Sequence, residues 1–171
     1  MARRLRVVRR SLASVIWGVI FSVPAARRYF GRRFFNSIPH SRRMGLRVTR
    51  VGRRSFTAGV GYRDELVGNP YNGHLHGGVL TTLIDQTSGA AAFFSRSPPQ
   101  LVATLDLRID HLRPAAAGKD VEARAECYHV TRHIAFVRCV AYDDDPDDPV
   151  ATSVSAFMRN GPVPLGRSFR R

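Results

Sequence analysis

The sequence predicts an α+β fold in which an antiparallel sheet wraps a single long helix, and three observations lead there. One apolar helical run, "HGGVLTTLIDQTSGAAAFF", stands near the middle of the chain. Two short strand-like runs precede it, and three or four longer ones follow with no crossover helix between them. Strands joined without crossovers pair antiparallel and bury one face against a helix. A chain of 171 residues that is 44% hydrophobic suits one such domain, because roughly 150 residues bury ~70% of the surface the unfolded chain exposes.

Charge divides the chain before any element does. Residues 1–63 hold sixteen arginines and no acid, whereas residues 64–171 hold eleven Lys+Arg against thirteen Asp+Glu. The net charge of +14 therefore belongs to the N-terminal third, and the part expected to form the core is slightly acidic. This gives a basic, partly apolar extension over 1–37, a globular domain over 38–160 and a basic tail over 161–171. Sixteen uncharged residues lie between Arg10 and Arg27, and ~24 Å of helix falls short of a ~30 Å hydrocarbon core. A spanning helix is not expected at that length. Leu5, Val8, Leu12, Val15, Ile16 and Val19 recur at helical spacing beside Arg6, Arg9 and Arg10. That pattern suits an amphipathic helix on an anionic membrane or docked on the protein, ended by Pro24. A signal peptide or a poorly ordered basic extension are the alternatives, and Arg27 and Arg28 weigh against export. Charge with no base-reading motif gives no ground for a specific nucleic-acid partner.

"GLRVTRVG" and "RSFTAGVGY" read as two strands around a Gly-Arg-Arg turn, and the Gly-, Asn- and Pro-rich "VGNPYNGHL" as a loop leading into the helix. On the helix, Leu80, Leu83, Ile84, Thr87, Ala91 and Phe94 form one apolar stripe; Thr81, Asp85, Ser88, Gly89 and Ala92 form a second face of small or polar residues. The prolines of "SRSPPQ" stop the helix. "LVATLDLRIDHLRP", "DVEARAECYHVTR", "IAFVRCVAYDD" and "PVATSVSAFMR" are the strands that follow, and in the second Val121, Ala123, Ala125 and Cys127 alternate with polar or aromatic residues. Cys127 and Cys139 are expected as buried free thiols, since neither sits in a ligand or redox spacing. "DDDPDDP" reads as a solvated charged turn rather than a metal site. His74, His111, His129 and His133 lack ligand spacing, so no metal is assigned. Asp106 and Asp110 share one strand face and are expected to be salt-bridged or solvent-facing.

Asp85 is the residue that calls for an explanation. A carboxylate on a helix face of small residues is partly desolvated, which is costly unless it is paired or used. "HGGVLTTLID", with His76, the Gly77-Gly78 pair and Asp85 nine positions after the histidine, resembles the signature of hotdog-fold acyl-CoA thioesterases of the phenylacetate-degradation (PaaI-like) type. "GNPYNG" before it and "ATLDLRIDHLRP" after it extend the resemblance over roughly residues 38–160.

The resemblance implies a hotdog fold whose subunits pair into a continuous sheet, as a homodimer or homotetramer with sites at the interfaces. Thioester hydrolysis needs charge stabilised on the carbonyl oxygen and a nucleophile delivered to its carbon; backbone N–H groups at a helix N-terminus supply the first. The resemblance assigns that to Gly77, with Gly78 beside it, and makes Asp85 the general base or the nucleophile. Gly77 and Asp85 are ~12 Å apart along one helix, so they would come from opposite subunits. Asn69, or Asn72 if the loop bends differently, would orient the water or carboxylate; turn formation is the competing reading for both. Thr104 would hydrogen-bond the water, or be an ordinary strand residue. His76 is expected to orient the loop and cap the glycine turn rather than act as a base. Leu83, Ala92 and Phe93 would line an acyl pocket beside Ser88, and Arg96, Arg113 and Arg132 are candidates for coenzyme A phosphates. The resemblance implies acyl-CoA as substrate, no cofactor, and a cytoplasmic protein, peripheral at the membrane if the N-terminus makes that contact. A non-catalytic acyl-CoA binding or regulatory hotdog protein and a β-hydroxyacyl dehydratase are the alternatives, because one fold hosts several chemistries.

Overall fold

In a computed structural model the described residues are 18–19, 23–96 and 99–162. Two helices come first, α1 (Pro24–Ser37) and α2 (Pro39–Arg43). Strands β1 (Leu46–Val51) and β2 (Ser55–Val60) lead through a 3₁₀ turn (Asp64–Leu66) to a small hairpin, β3 (Val67–Asn69) with β4 (His74–Leu75). Helix α3 (Gly77–Phe93) is followed by β5 (Gln100–His111), β6 (Val121–Val130), β7 (Ile134–Tyr142) and β8 (Ala151–Pro162). Six strands form one antiparallel sheet in the order β1-β2-β6-β7-β8-β5, with α3 lying against its inner face. This is the predicted α+β architecture of one sheet around one long helix.

The core follows from the alternation. Val121, Ala123, Ala125 and Cys127 of β6 and Ala135, Val137, Cys139 and Ala141 of β7 point inward, where small side chains let α3 approach the sheet. All six residues of the α3 stripe are buried. The second face is split: Thr81 is exposed and Asp85 half-buried, while Ser88 and Ala92 are as buried as the stripe. Cys127 and Cys139 are both buried and unbridged; in the β6–β7 register they oppose Val137 and Ala125 rather than each other.

Three features differ from the sequence reading. Pro24, expected to end a helix, instead opens α1 at its first turn, where its missing N–H is no loss. Second, α1 carries Gly31, Phe34 and Phe35 onto the sheet: Phe35 stacks on Phe56 at 5.1 Å, and Phe34 stacks on Phe93 at 4.6 Å. Residues that charge assigned to the extension thus contribute to the core. The amphipathic run from Leu5 to Val19 lies, but for its last two residues, outside the described residues, as does the tail beyond Pro162. Third, the acidic turn is not simply solvated. The side chain of Asp143 is 4% exposed and takes two hydrogen bonds from Arg113, at 2.7 and 3.0 Å, and one from the Ala116 N–H at 2.9 Å.

Candidate active site

The loop before α3 is built to present the helix N-terminus. Gly73 lies at φ +70°, a left-handed conformation that suits glycine, and accepts a hydrogen bond from the Tyr62 hydroxyl at 2.9 Å. The Asn69 side chain accepts the Tyr71 N–H at 3.0 Å and the Asn72 side chain accepts the His74 N–H at 3.1 Å. Both asparagines are therefore turn formers, exposed and engaged with their own loop. His74 Nδ1 lies 2.9 Å from the Ala115 carbonyl, which ties the loop to the segment after β5. At Gly68 a Cβ would meet the His76 Cα at 2.7 Å, so this close crossing of two backbones requires glycine.

His76 is the N-cap of α3. Its Nδ1 accepts the Gly78 N–H at 2.9 Å and its carbonyl accepts the Val79 N–H at 2.8 Å. The capping role expected of His76 is what the geometry shows. Because the cap consumes the Gly78 donor, the first-turn N–H left without an acceptor among the described residues is that of Gly77. Gly77 is exposed, and a Cβ there would find nothing nearer than His111 Cε1 at 3.9 Å. The chain's own packing gives no reason for glycine at 77.

Two turns along α3, the half-buried Asp85 carboxylate accepts a hydrogen bond from Thr104 Oγ1 at 3.0 Å. Thr104 stands on β5, which has β8 on one side and, among the described residues, a bare edge on the other. The β5–β8 register slips between Thr104 and Asp106, a bulge of the kind that re-aims side chains beside sites. Asp106 and Asp110 of the same strand are exposed, and Asp110 pairs with Arg108 at 3.1 Å.

The remaining expected residues fall differently. Leu83 is fully buried in the core, Ala92 is buried as well, and Phe93 is stacked on Phe34, so none of the three lines an open pocket. The space beside the helix N-terminus is instead an open cavity of about 370 Å³ lined by apolar residues such as Leu75, Leu80 and Leu112, with Gly77, His111 and Arg113. Arg113, expected near coenzyme A phosphates, is held by Asp143 and by Asp148 at 3.1 Å. The pairing holds the Asp143 carboxyl well below the usual carboxylate range. Ser88 is buried, with its hydroxyl beside the Cys139 thiol. Burial pushes the Cys139 thiol up to about 12, so it is no nucleophile. His111, which the sequence reading set aside for want of ligand spacing, stands at the end of β5 and lines the open cavity beside Gly77. Among the described residues no group of three His, Cys, Asp or Glu is placed to hold a metal.

Similarity to known proteins points the same way. The thioesterase superfamily model matches residues 72–150. A Pseudomonas aeruginosa protein of known crystal structure is 41% identical with a TM-score of 0.72, covering 78% of this chain and 98% of that one. A mutant of the phenylacetic acid degradation protein PaaI from Thermus thermophilus is 26% identical with a TM-score of 0.63, covering 72% and 100%. The medium/long-chain acyl-CoA thioesterase YigI of Salmonella typhimurium is 24% identical over 152 residues, 81% of this chain and 97% of that protein. A Pseudomonas aeruginosa protein with an esterase name is 38% identical over 66 residues, and the match spans 49% of its length.

Proposed function

The chain belongs to the thioesterase superfamily, and from that premise we propose that it hydrolyses acyl-CoA thioesters to free acid and coenzyme A. The observation that carries this reading is the Thr104–Asp85 hydrogen bond, which holds a helix carboxylate at the bare edge of the sheet. The acyl-CoA substrate class is supported by the name of the YigI relative.

In this reading the Gly77 N–H donates to the thioester carbonyl oxygen, and the absence of a side chain lets the carbonyl reach the amide. The donor stabilises charge that develops only as the tetrahedral intermediate forms, which lowers the barrier rather than merely binding substrate. Asp85 either takes a proton from water as the water oxygen bonds to the carbonyl carbon, or attacks that carbon itself. In the first route collapse of the intermediate breaks the carbon–sulfur bond, and the proton passes to the departing thiolate. In the second the thiolate leaves first, and water then hydrolyses the mixed anhydride. Thr104 orients the carboxylate for either course.

One subunit cannot supply both halves. Gly77 and Asp85 are eight residues apart on α3, ~12 Å at helical rise, whereas the amide must touch the thioester oxygen and the carboxylate must reach its carbon directly within ~3.5 Å or through one water. We therefore infer that two copies join through their β5 edges, so that one subunit's Gly77 faces the other's Asp85. His76 acts by holding the Gly78 amide and fixing the helix entry. The cavity beside Gly77 is the candidate seat for the part of the substrate nearest the thioester.

The test is thiol release from a panel of aliphatic and aromatic acyl-CoAs by the purified protein, alongside Asp85→Asn. We expect turnover by the native chain and a loss of on the order of 100- to 10,000-fold in the variant, with fold and oligomer unchanged. Binding of acyl-CoA without turnover of any panel member would instead make this an acyl-CoA binding protein and Asp85 a structural residue.

A further inference from the structure

Helix α1 is fixed to the core by one face and presents the other to solvent. Gly31 and Phe35 are buried against the sheet, and a Cβ at Gly31 would meet Val51 Cγ2 at 2.7 Å. The opposite face, at i, i+3, i+4 spacing, is Ala25, Arg28, Tyr29, Arg32, Arg33 and Asn36, all exposed. These six side chains splay around an open groove of about 540 Å³. Tyr29 is 61% exposed, and just upstream Val19 and Val23 are 64% and 50% exposed. Among the described residues Arg28, Arg32 and Arg33 form no ion pair. The segment itself supplies no acid, the first in the chain being Asp64, and no acid from elsewhere among the described residues reaches these three.

An unpaired arginine face tolerates isolation from acids at the expense of self-repulsion, and an anionic partner relieves that repulsion. The chain directly preceding this face argues for what the partner is. Residues 11–26 carry no charge and include Val15, Ile16, Trp17, Val19, Ile20 and Phe21, and a further five arginines lie before them. Arginine with tyrosine, tryptophan and aliphatic residues is the composition that anchors at a lipid headgroup boundary, where the cations meet phosphate and the rings sit at the interface. A surface that reads nucleic acid would need base-contacting or stacking groups arranged among the cations, and a soluble acidic partner would leave the apolar residues unexplained. The face also lies away from the candidate active site: α1 packs on β1, at one edge of the sheet, whereas Thr104 is on β5 at the other.

We propose that the exposed face of α1, with Arg28, Tyr29, Arg32 and Arg33, is a docking surface for anionic phospholipid bilayers. The inference stands apart from the hydrolytic reading, since none of its residues belongs to the candidate active site. Each arginine near an anionic surface adds on the order of a fivefold gain in binding, and the gain is screened by salt.

The experiment is co-sedimentation of the full chain with vesicles of phosphatidylcholine alone and of equal parts phosphatidylcholine and phosphatidylglycerol. It is repeated in raised salt and with the Arg28→Gln/Arg32→Gln/Arg33→Gln variant. All three side chains are exposed, so circular dichroism and melting of the variant should match the native chain. We expect binding to the anionic vesicles only, weakening with salt, and on the order of 100-fold weaker for the variant. Equal binding to neutral vesicles, absence of binding, or full affinity in the variant would each overturn the proposal. Tighter association with duplex DNA than with the anionic vesicles would do so as well, and would make this a nucleic-acid surface.

Discussion

Adjacent glycines at the start of α3 have different surroundings, and substitution should separate them. At Gly78 a Cβ would lie 2.9 Å from His76 Nδ1, so the ring must move and the N-cap is lost. Gly78→Ala is expected to lose about 1 kcal/mol of stability, the usual cost of an abolished cap, which a thermal melt reads directly. Gly77→Ala meets nothing closer than 3.9 Å, so its melt should be native. Its kcat/KM should nevertheless fall by roughly 10- to 100-fold, because the methyl holds the thioester off its donor. Equal activity in native and Gly77→Ala protein would remove Gly77 from the mechanism. Thr104→Val keeps the β-branched shape but removes the donor to Asp85. We expect kcat about tenfold lower with KM little changed, as for loss of one hydrogen bond to a charged group, and recovery in Thr104→Ser. At this scale the sequence was most legible where one residue type has few uses: a carboxylate on an apolar helix, a histidine before paired glycines. It was least legible for Arg113, whose pairing with Asp143 depends on a contact between residues thirty apart that no local pattern announces.

Among the elements, α1 was hidden from sequence reading for a physical reason. Its buried face is narrow, essentially Gly31, Phe34 and Phe35, and four arginines interrupt the apolar pattern while no acid marks its first turn. The sheet and α3 were visible because their periods run for many residues, and the alternation along β6 maps residue by residue onto burial. Although short on apolar content, α1 completes an aromatic seam in which Phe35, Phe56 and Phe94 lie in succession at 5.1 and 5.9 Å. Phe35→Ala should therefore cost about 3–5 kcal/mol, as for a fully buried aromatic ring, measured by chemical denaturation. A value under ~1 kcal/mol would show that the helix is not integral to the domain. The β7–β8 connection carries a pH dependence of its own. Asp143 is held below its ordinary range chiefly by hydrogen bonds from Arg113. A depressed carboxyl contributes stability that is present above its unfolded value near ~4 and is lost as pH falls below it. Melting temperature should thus decline on acidification, and Asp143→Asn should flatten that decline while lowering stability at neutral pH. An unchanged acid limb in the variant would assign the acid sensitivity to other carboxylates.

For the whole molecule, the two edges of the sheet have different fates. One edge strand, β1, is packed by α1, while the twelve-residue β5 pairs with β8 on one side and, among the described residues, has no strand on its outer side, where Leu101 and Leu105 are exposed. A long edge bearing exposed leucines invites pairing unless something covers it, and the separation of Gly77 from Asp85 says what the cover supplies. Pairing of two β5 strands about a twofold axis would extend the sheet to both subunits and complete two sites at once. Leu105 is the residue through which to test this. It sits at the register slip beside Thr104 and is 53% exposed in the single chain. In a symmetric interface every change is made twice, so Leu105→Lys replaces two apolar side chains with two charges that the interface would have to bury. The exposed position leaves the fold of each subunit intact. Sedimentation velocity should show the native chain as a dimer or larger and the variant shifted to monomer, with thiol release lost in parallel because each monomer holds only half of each site. If that monomer hydrolyses acyl-CoA at the native rate, one subunit must contain both donor and carboxylate, and the division of labour between Gly77 and Asp85 of different chains is wrong.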